Sequence, residues 1–278
     1  MELLNPNYFF YPLKRSYSFI KGSARKPFVY LNLLLQYRKF YIEGINQKSN
    51  NRGSKFFVVC IPRSGSMLLG SSLASNSEIL WDNEKYRFSA FMPSLLANGM
   101  ASRRGDSCYG AKLFLTEMNT GDRHVDTYLK QLERMHRDGW KFVSLIRENS
   151  LKQAISFYKF IEGGRGYVLK THNKEEKNKI VLEFDKLLKI VQWCESFKEA
   201  QIKMMNKFPH IELCYESDLA PAEKRQETMN NVFNFLNVTL ADTHTMQKKQ
   251  SAKYLVDEIE NYDELLDFVN KHGYKKYL

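Results

Sequence analysis

Four cysteines are few for 278 residues, and Cys60, Cys108, Cys194 and Cys214 stand too far apart to form a C-x-x-C pair. That spacing argues against a zinc knuckle or a disulfide scaffold and fits reduced, mostly buried thiols. Long apolar runs are also missing. The best N-terminal stretch, Phe28 to Leu35, is interrupted by Asn32 and falls short of the roughly 18 residues of a transmembrane helix. Nor does the chain open on the basic-then-apolar order of a signal peptide, since Asn5, Asn7 and early aromatics stand there. The expectation is a cytoplasmic chain. Finally, no Gly-Lys-Ser or Gly-Lys-Thr occurs anywhere, which disfavours a nucleoside-triphosphate-dependent kinase.

Acidic charge is scarce at one end only. Residues 1–55 carry Glu2 and Glu43 against ten Lys and Arg, so this segment holds +8 of the formal net charge of +11. The rest of the chain is close to balanced, and no nucleic-acid motif appears. A general nucleic-acid-binding module is therefore disfavoured. The sequence divides into a basic, aromatic N-terminal extension (1–54) and a folded domain (55–278), joined through the polar stretch Asn46 to Ser54. The extension suits an arm packed on the domain through its aromatics, peripheral contact with the cytosolic face of a membrane, or a homodimer arm.

An apolar fraction of 43%, with 19 Phe and 16 Tyr, supplies a sizeable core. Lys55 to Ile61 is a nearly continuous apolar run, the pattern of a strand buried on both faces. A Gly-containing loop and a helix from Ser66 to Ala74 follow it. Further strands are expected at Tyr109–Leu115, Trp140–Ile146 and Ile211–Tyr215. Helices are expected at His124–Asp138, where Leu129, Leu132 and Met135 lie at helical spacing, at Ser150–Ile161, and at Ile180–Met205. This alternation predicts a three-layer α/β fold with a central parallel sheet. Gly163 to Lys179 and Ala241 to Ser251 read as loops.

In such a sheet, ligands sit at the carboxyl ends of the strands. Arg63 and Arg147 both fall at or just past a predicted strand end. After Arg63, the backbone of Ser64, Gly65, Ser66, Met67 and Leu68 enters a helix N-terminus, a ready anion site. After Arg147, a helix carries Ser156 about two turns in. The pair can meet one anion if the arginine folds back along the helix. Taken singly, Arg147 reads more readily as a surface ion-pair residue than as a ligand, and Ser156 more readily as a helix-packing serine.

Together the two stretches carry a recognisable pattern. Arg-Ser-Gly-Ser with Leu68-Leu69, then Arg147-x-Asn-x-Leu-x-x-Ala-Ile-Ser156, resemble the sulfotransferases that use 3′-phosphoadenosine 5′-phosphosulfate (PAPS), and within them the bacterial carbohydrate enzymes of the nodulation-factor and trehalose type. Tyr109-Gly-Ala-Lys112-Leu, Cys214-Tyr-Glu-Ser-Asp-Leu219, Lys249-Gln-Ser251 and Ile259-Glu-Asn-Tyr-Asp-Glu264 extend the resemblance over residues 55–278. It implies that the first loop holds the 5′-phosphosulfate, that Arg147 and Ser156 hold the 3′-phosphate, and that Lys248 and Lys249 close over it. Surface solubility is the plainer reading of these two lysines. PAPS would be a co-substrate, with no metal demanded. The acceptor would be a carbohydrate or glycolipid hydroxyl, with no nucleic-acid partner.

The resemblance also points to Glu84 as base, with Asp82 in reserve. A solvated carboxylate paired with Lys85 or Arg87 is the plainer reading of Glu84. Among rival bases, His124 and His136 belong to an amphipathic helix, and His172 lies in a loop from which it could reach an acceptor. Lys112 could touch donor or acceptor, or snorkel from an edge strand. One departure is plain: Met67 stands where the family usually places a hydroxyl that helps bind the 5′-phosphate.

Overall fold

The computed structural model describes residues 26–46, 53–83, 92–102, 107–115, 125–163, 179–245 and 254–278. Its centre is β1 (Lys55–Cys60), whose side chains from Phe56 to Cys60 are all fully buried because both faces of the strand are covered. The strands β2 (Ile79–Trp81), β3 (Cys108–Phe114), β4 (Trp140–Ile146) and β5 (His210–Cys214) join it in one parallel sheet, ordered β2-β3-β1-β4-β5.

Alternation along the strands sorts the side chains into two cores. Phe57, Val59 and Ile61 face a larger core with Tyr109, Leu113, Trp140 and Phe142. This side is covered by α1 (Lys26–Ile45), α3 (Pro93–Ser102), α4 (Val125–Arg137), α5 (Ser150–Gly163), α6 (Phe184–Met205) and α8 (Tyr262–His272). Phe56, Val58 and Cys60 face a smaller core under α2 (Ser66–Leu73) and α7 (Ala222–Leu236). The chain leaves β1 toward one layer and β4 toward the other. The crevice between their carboxyl ends is thus the switch point of the sheet, where ligands bind in folds of this class.

The fold is the α/β arrangement expected, with differences in detail. The predicted helix over Ile180–Met205 begins only at Phe184. Ile180 instead forms an isolated parallel bridge with Ile259, using hydrogen bonds from Ile180 N to Glu258 O and from Glu260 N to Ile180 O. β3 is an interior strand, so Lys112 is not an edge residue. The elements β2, α1, α3 and α8 were not anticipated.

α1 comes from the basic N-terminal stretch and packs on α3 with Tyr41 buried in the larger core. Two glycines set that crossing. A Cβ on Gly99 would fall 1.7 Å from the Phe40 carbonyl oxygen, and one on Gly44 would fall 2.3 Å from that of Leu95. The pairing of 44 with 95 and of 40 with 99 makes the two helices antiparallel.

Candidate active site at the β1–β4 crevice

The first loop turns sharply between β1 and α2. Arg63 and Gly65 both adopt positive φ, 66° and 94°, and the Gly65 carbonyl accepts from Leu68 N and Leu69 N to start the helix. Gly65 is required twice over, because a Cβ there would also lie 2.2 Å from the Tyr215 ring. At the start of α2 the first N–H groups have no carbonyl one turn earlier to bond, and they give the loop its anion-attracting character. Ser64 is fully buried, and its Oγ has no hydrogen-bond partner among the described residues.

The loop is clamped from α5 and β4. Gln153 Nε2 donates to the Pro62 carbonyl at 2.9 Å, and Arg63 Nε donates to Ser156 Oγ at 2.9 Å. Arg147 Nη1 donates to the Arg63 carbonyl at 3.0 Å. The two arginines and the serine singled out from sequence therefore converge on one crevice. Ser156 Oγ accepts from Arg63 and keeps its own O–H to donate. The Arg63 guanidinium also lies 5.9 Å from the Phe160 ring.

Arg147 is deeply set, with the Tyr215 ring 4.9 Å from its guanidinium. Its Nε lies 3.4 Å from Glu216 Oε1, an ion-pair separation without hydrogen-bond geometry, which leaves that buried N–H without an acceptor among the described residues. Burial pushes its pKa down, while the Glu216 carboxylate opposes the shift. Glu216 also accepts from the main-chain N–H groups of Glu148 and Asn149, at 2.9 and 3.3 Å. One carboxylate thus orients the arginine and caps the entry to α5. It stands on a single π turn, Tyr215–Leu219, fixed by Asp218 Oδ2 accepting from Cys214 N. Sequence reading touched Tyr215 and Glu216 only as part of a resembling segment. No spacing signal could have shown that they reach back to both loops.

No family model matches the chain, and no curated protein matches it. Among solved structures, the chain is similar to the crystal structure of a sulfotransferase from Alicyclobacillus acidocaldarius. The identity is 15%, the match covers 78% of this chain and 92% of that one, and the TM-score is 0.44.

Beneath the loop, Lys112 is almost completely buried and sends Nζ to Met67 Sδ at 3.6 Å, with the Phe114 ring 5.2 Å away. Asn83 Nδ2 approaches the same sulfur at 3.8 Å. Met67 therefore acts as the acceptor at which β3 and the end of β2 meet the loop. Asp82 is buried with Tyr109 Oη donating to it at 3.0 Å, on the face of the sheet opposite Lys112. His136 is an exposed residue of α4 whose ring packs near Phe142 and Phe208. Glu84, His124, His172, Lys248 and Lys249 lie outside the described residues.

Gln201 was also not anticipated. Buried on α6, its Nε2 lies within hydrogen-bond distance of Val59 O, Ser144 Oγ and Leu145 O, at 3.0 to 3.1 Å. It ties together the two strands from which the arginine loops depart. All four cysteines are free, and burial pushes the thiols of Cys108 and Cys194 up to about 12. Among the described residues no cluster of His, Cys, Asp and Glu offers a metal site, and no helix is long and apolar enough to cross a membrane. A recess of about 560 Å³ lined by Ser54, Glu78, Cys108 and Asn237 opens at the amino edge of the sheet, away from the arginines.

Proposed function

We propose that the chain transfers a sulfuryl group from PAPS to a hydroxyl of a carbohydrate or glycolipid acceptor. The observation that carries this reading is the convergence of Arg63, Arg147 and Ser156 at the β1–β4 crevice, joined by the Arg147-to-Arg63 carbonyl bond of 3.0 Å. The buried Ser64 hydroxyl, without a partner among the described residues, fits an anionic ligand seated between the two loops.

Sulfuryl transfer breaks the bond from sulfur to the bridging 5′-phosphate oxygen, forms a bond from sulfur to the acceptor oxygen, and moves the acceptor proton to a base. Negative charge grows on the bridging oxygen. Arg63, whose guanidinium is anchored through Ser156 beside the start of α2, strengthens its contacts as that charge builds, which lowers the barrier rather than the ground state. Arg147 and Ser156 hold the 3′-phosphate side of the donor, with Ser156 shared with Arg63. Lys112 steadies the floor of the loop. Glu84 serves as base. Asp82 is engaged by Tyr109 on the other face of the sheet, which favours Glu84 over it.

The test is a thermal-shift comparison of adenosine 3′,5′-bisphosphate with magnesium-ATP. Stabilisation by the bisphosphate and not by ATP is expected, followed by sulfate transfer from PAPS in a screen of glycan and glycolipid acceptors. Stabilisation by ATP alone would replace this reading with phosphoryl transfer.

A further inference from the structure

We propose that the outward face of α1 docks the protein on an anionic lipid bilayer. Tyr37, Phe40, Tyr41 and Gly44 turn inward, while Leu35, Arg38, Lys39, Ile42 and Ile45 are exposed, with the exposed Glu43 at the border of that face beside Lys39. At 3.6 residues per turn those five share an arc of roughly 120°. Leu35 and Ile42, each 55% exposed, stand in solvent between the two cations around the helix, and Ile45, 70% exposed, lies just beyond Arg38. Exposed aliphatic side chains flanked by cations suit contact with the headgroups and upper acyl region of an anionic bilayer.

Two further observations select the lipid as occupant. Residues 1–55 hold +8 of net charge, and Tyr8, Phe9, Phe10, Tyr11, Tyr17 and Phe19 interleave with Lys14, Arg15 and Lys21, a composition suited to anionic headgroups. The face also has a direction. α3 runs from the carboxyl edge of the sheet toward the amino edge, and α1 is antiparallel to it. Ile45 and the half-exposed Met92, just before α3, therefore mark the end nearer the arginine crevice. An acceptor hydroxyl on a lipid headgroup follows only if the sulfuryl-transfer reading holds, whereas docking itself does not depend on it.

Flotation of the full chain with vesicles of phosphatidylcholine and phosphatidylglycerol, against phosphatidylcholine alone, reads the docking without donor or turnover. Binding to the anionic vesicles only is expected, weakening with salt. Arg38→Ala and Lys39→Ala should each lower partitioning about fivefold, and Ile42→Asn with Ile45→Asn more than tenfold. Val181→Asn, an equally exposed aliphatic residue elsewhere, should leave it unchanged. Circular dichroism and melting temperature verify that each variant folds. The proposal is overturned if the full chain does not float at low salt, if the α1 variants bind like wild type, or if sedimentation velocity shows a dimer that the Ile42 and Ile45 variants dissolve.

Discussion

Arg147 reaches across the sheet crevice and donates from Nη1 to the main-chain carbonyl of Arg63, 3.0 Å away. The second arginine therefore shapes the loop that presents the first. Arg63→Ala should lower kcat by about 10² to 10³, the cost of removing one donor aimed at developing charge. Arg147→Ala should raise KM for the donor and also lower kcat, by about tenfold, because the Arg63 backbone loses its support. Arg147→Lys should not restore it, since lysine lacks the fork that meets the carbonyl and Glu216 together. Steady-state kinetics with PAPS would separate the two. Equal, mild effects from both substitutions would place the reaction elsewhere.

Met67 supplies a thioether where a hydroxyl is expected, and the structure gives that sulfur two neighbours, Lys112 Nζ and Asn83 Nδ2. Met67→Thr should tighten donor binding several-fold by adding a hydroxyl at the start of α2, and it should also lower the melting temperature as the buried lysine loses its contact. Met67→Leu keeps the volume but not the acceptor, and should cost about 1 kcal/mol without improving donor binding. Calorimetric titration with adenosine 3′,5′-bisphosphate and thermal melting provide the two readouts. Tighter binding by the leucine variant would show that size alone matters at this position.

Much of this arrangement could be read along the chain, because the strands of a parallel sheet are continuous apolar runs. Phe56–Cys60 and Phe142–Leu145 carry that signal plainly, and Arg63 and Arg147 mark where it stops. What could not be read was short or tertiary in origin. Ile79–Trp81 is too brief for periodicity to register. α3 is made of small residues whose helical face appears only once Gly99 meets Phe40. Ile180 continues the pattern of α6 yet is drawn out of it by Ile259, a partner 79 residues away. The assignment of Ser156 to Arg63 depends on where α5 passes over the loop, which no spacing specifies.

The α1–α3 crossing depends on two absent side chains. Gly99→Ala would place a methyl group into the Phe40 carbonyl, and main chain cannot swing aside as a side-chain end can. A loss of about 1 to 3 kcal/mol is expected from overpacking, offset only slightly by the better helix propensity of alanine. Gly99→Val should displace α1 altogether. Limited proteolysis would then cut within 26–45 while the sheet core persists, whereas wild type resists. An unchanged digestion pattern in both variants would mean that the helix does not pack at this distance in solution.

The buried thiols make stability fall as the pH rises above 9, in the same sense as the raised phenols of Tyr41 and Tyr274. In the folded chain Cys108 and Cys194 have pKa values pushed up to about 12 by burial, from an ordinary value of 9.0. Between these limits the native state holds protons that the unfolded chain releases, so unfolding gains from rising pH. Each thiol should remove about 1.4 kcal/mol of stability per pH unit as the pH rises above 9. Lys55 and Lys141 act in the opposite sense, since burial lowers their pKa values and stability then rises with pH toward the unfolded value. The thiol contribution must therefore be read as a difference between wild type and the Cys108→Ala, Cys194→Ala double variant. Denaturant midpoints from pH 8 to pH 10.5 should fall more steeply for wild type than for the double variant. Parallel curves would mean that both of these cysteines are solvated in the native state, which thiol labelling of the folded protein would then detect directly.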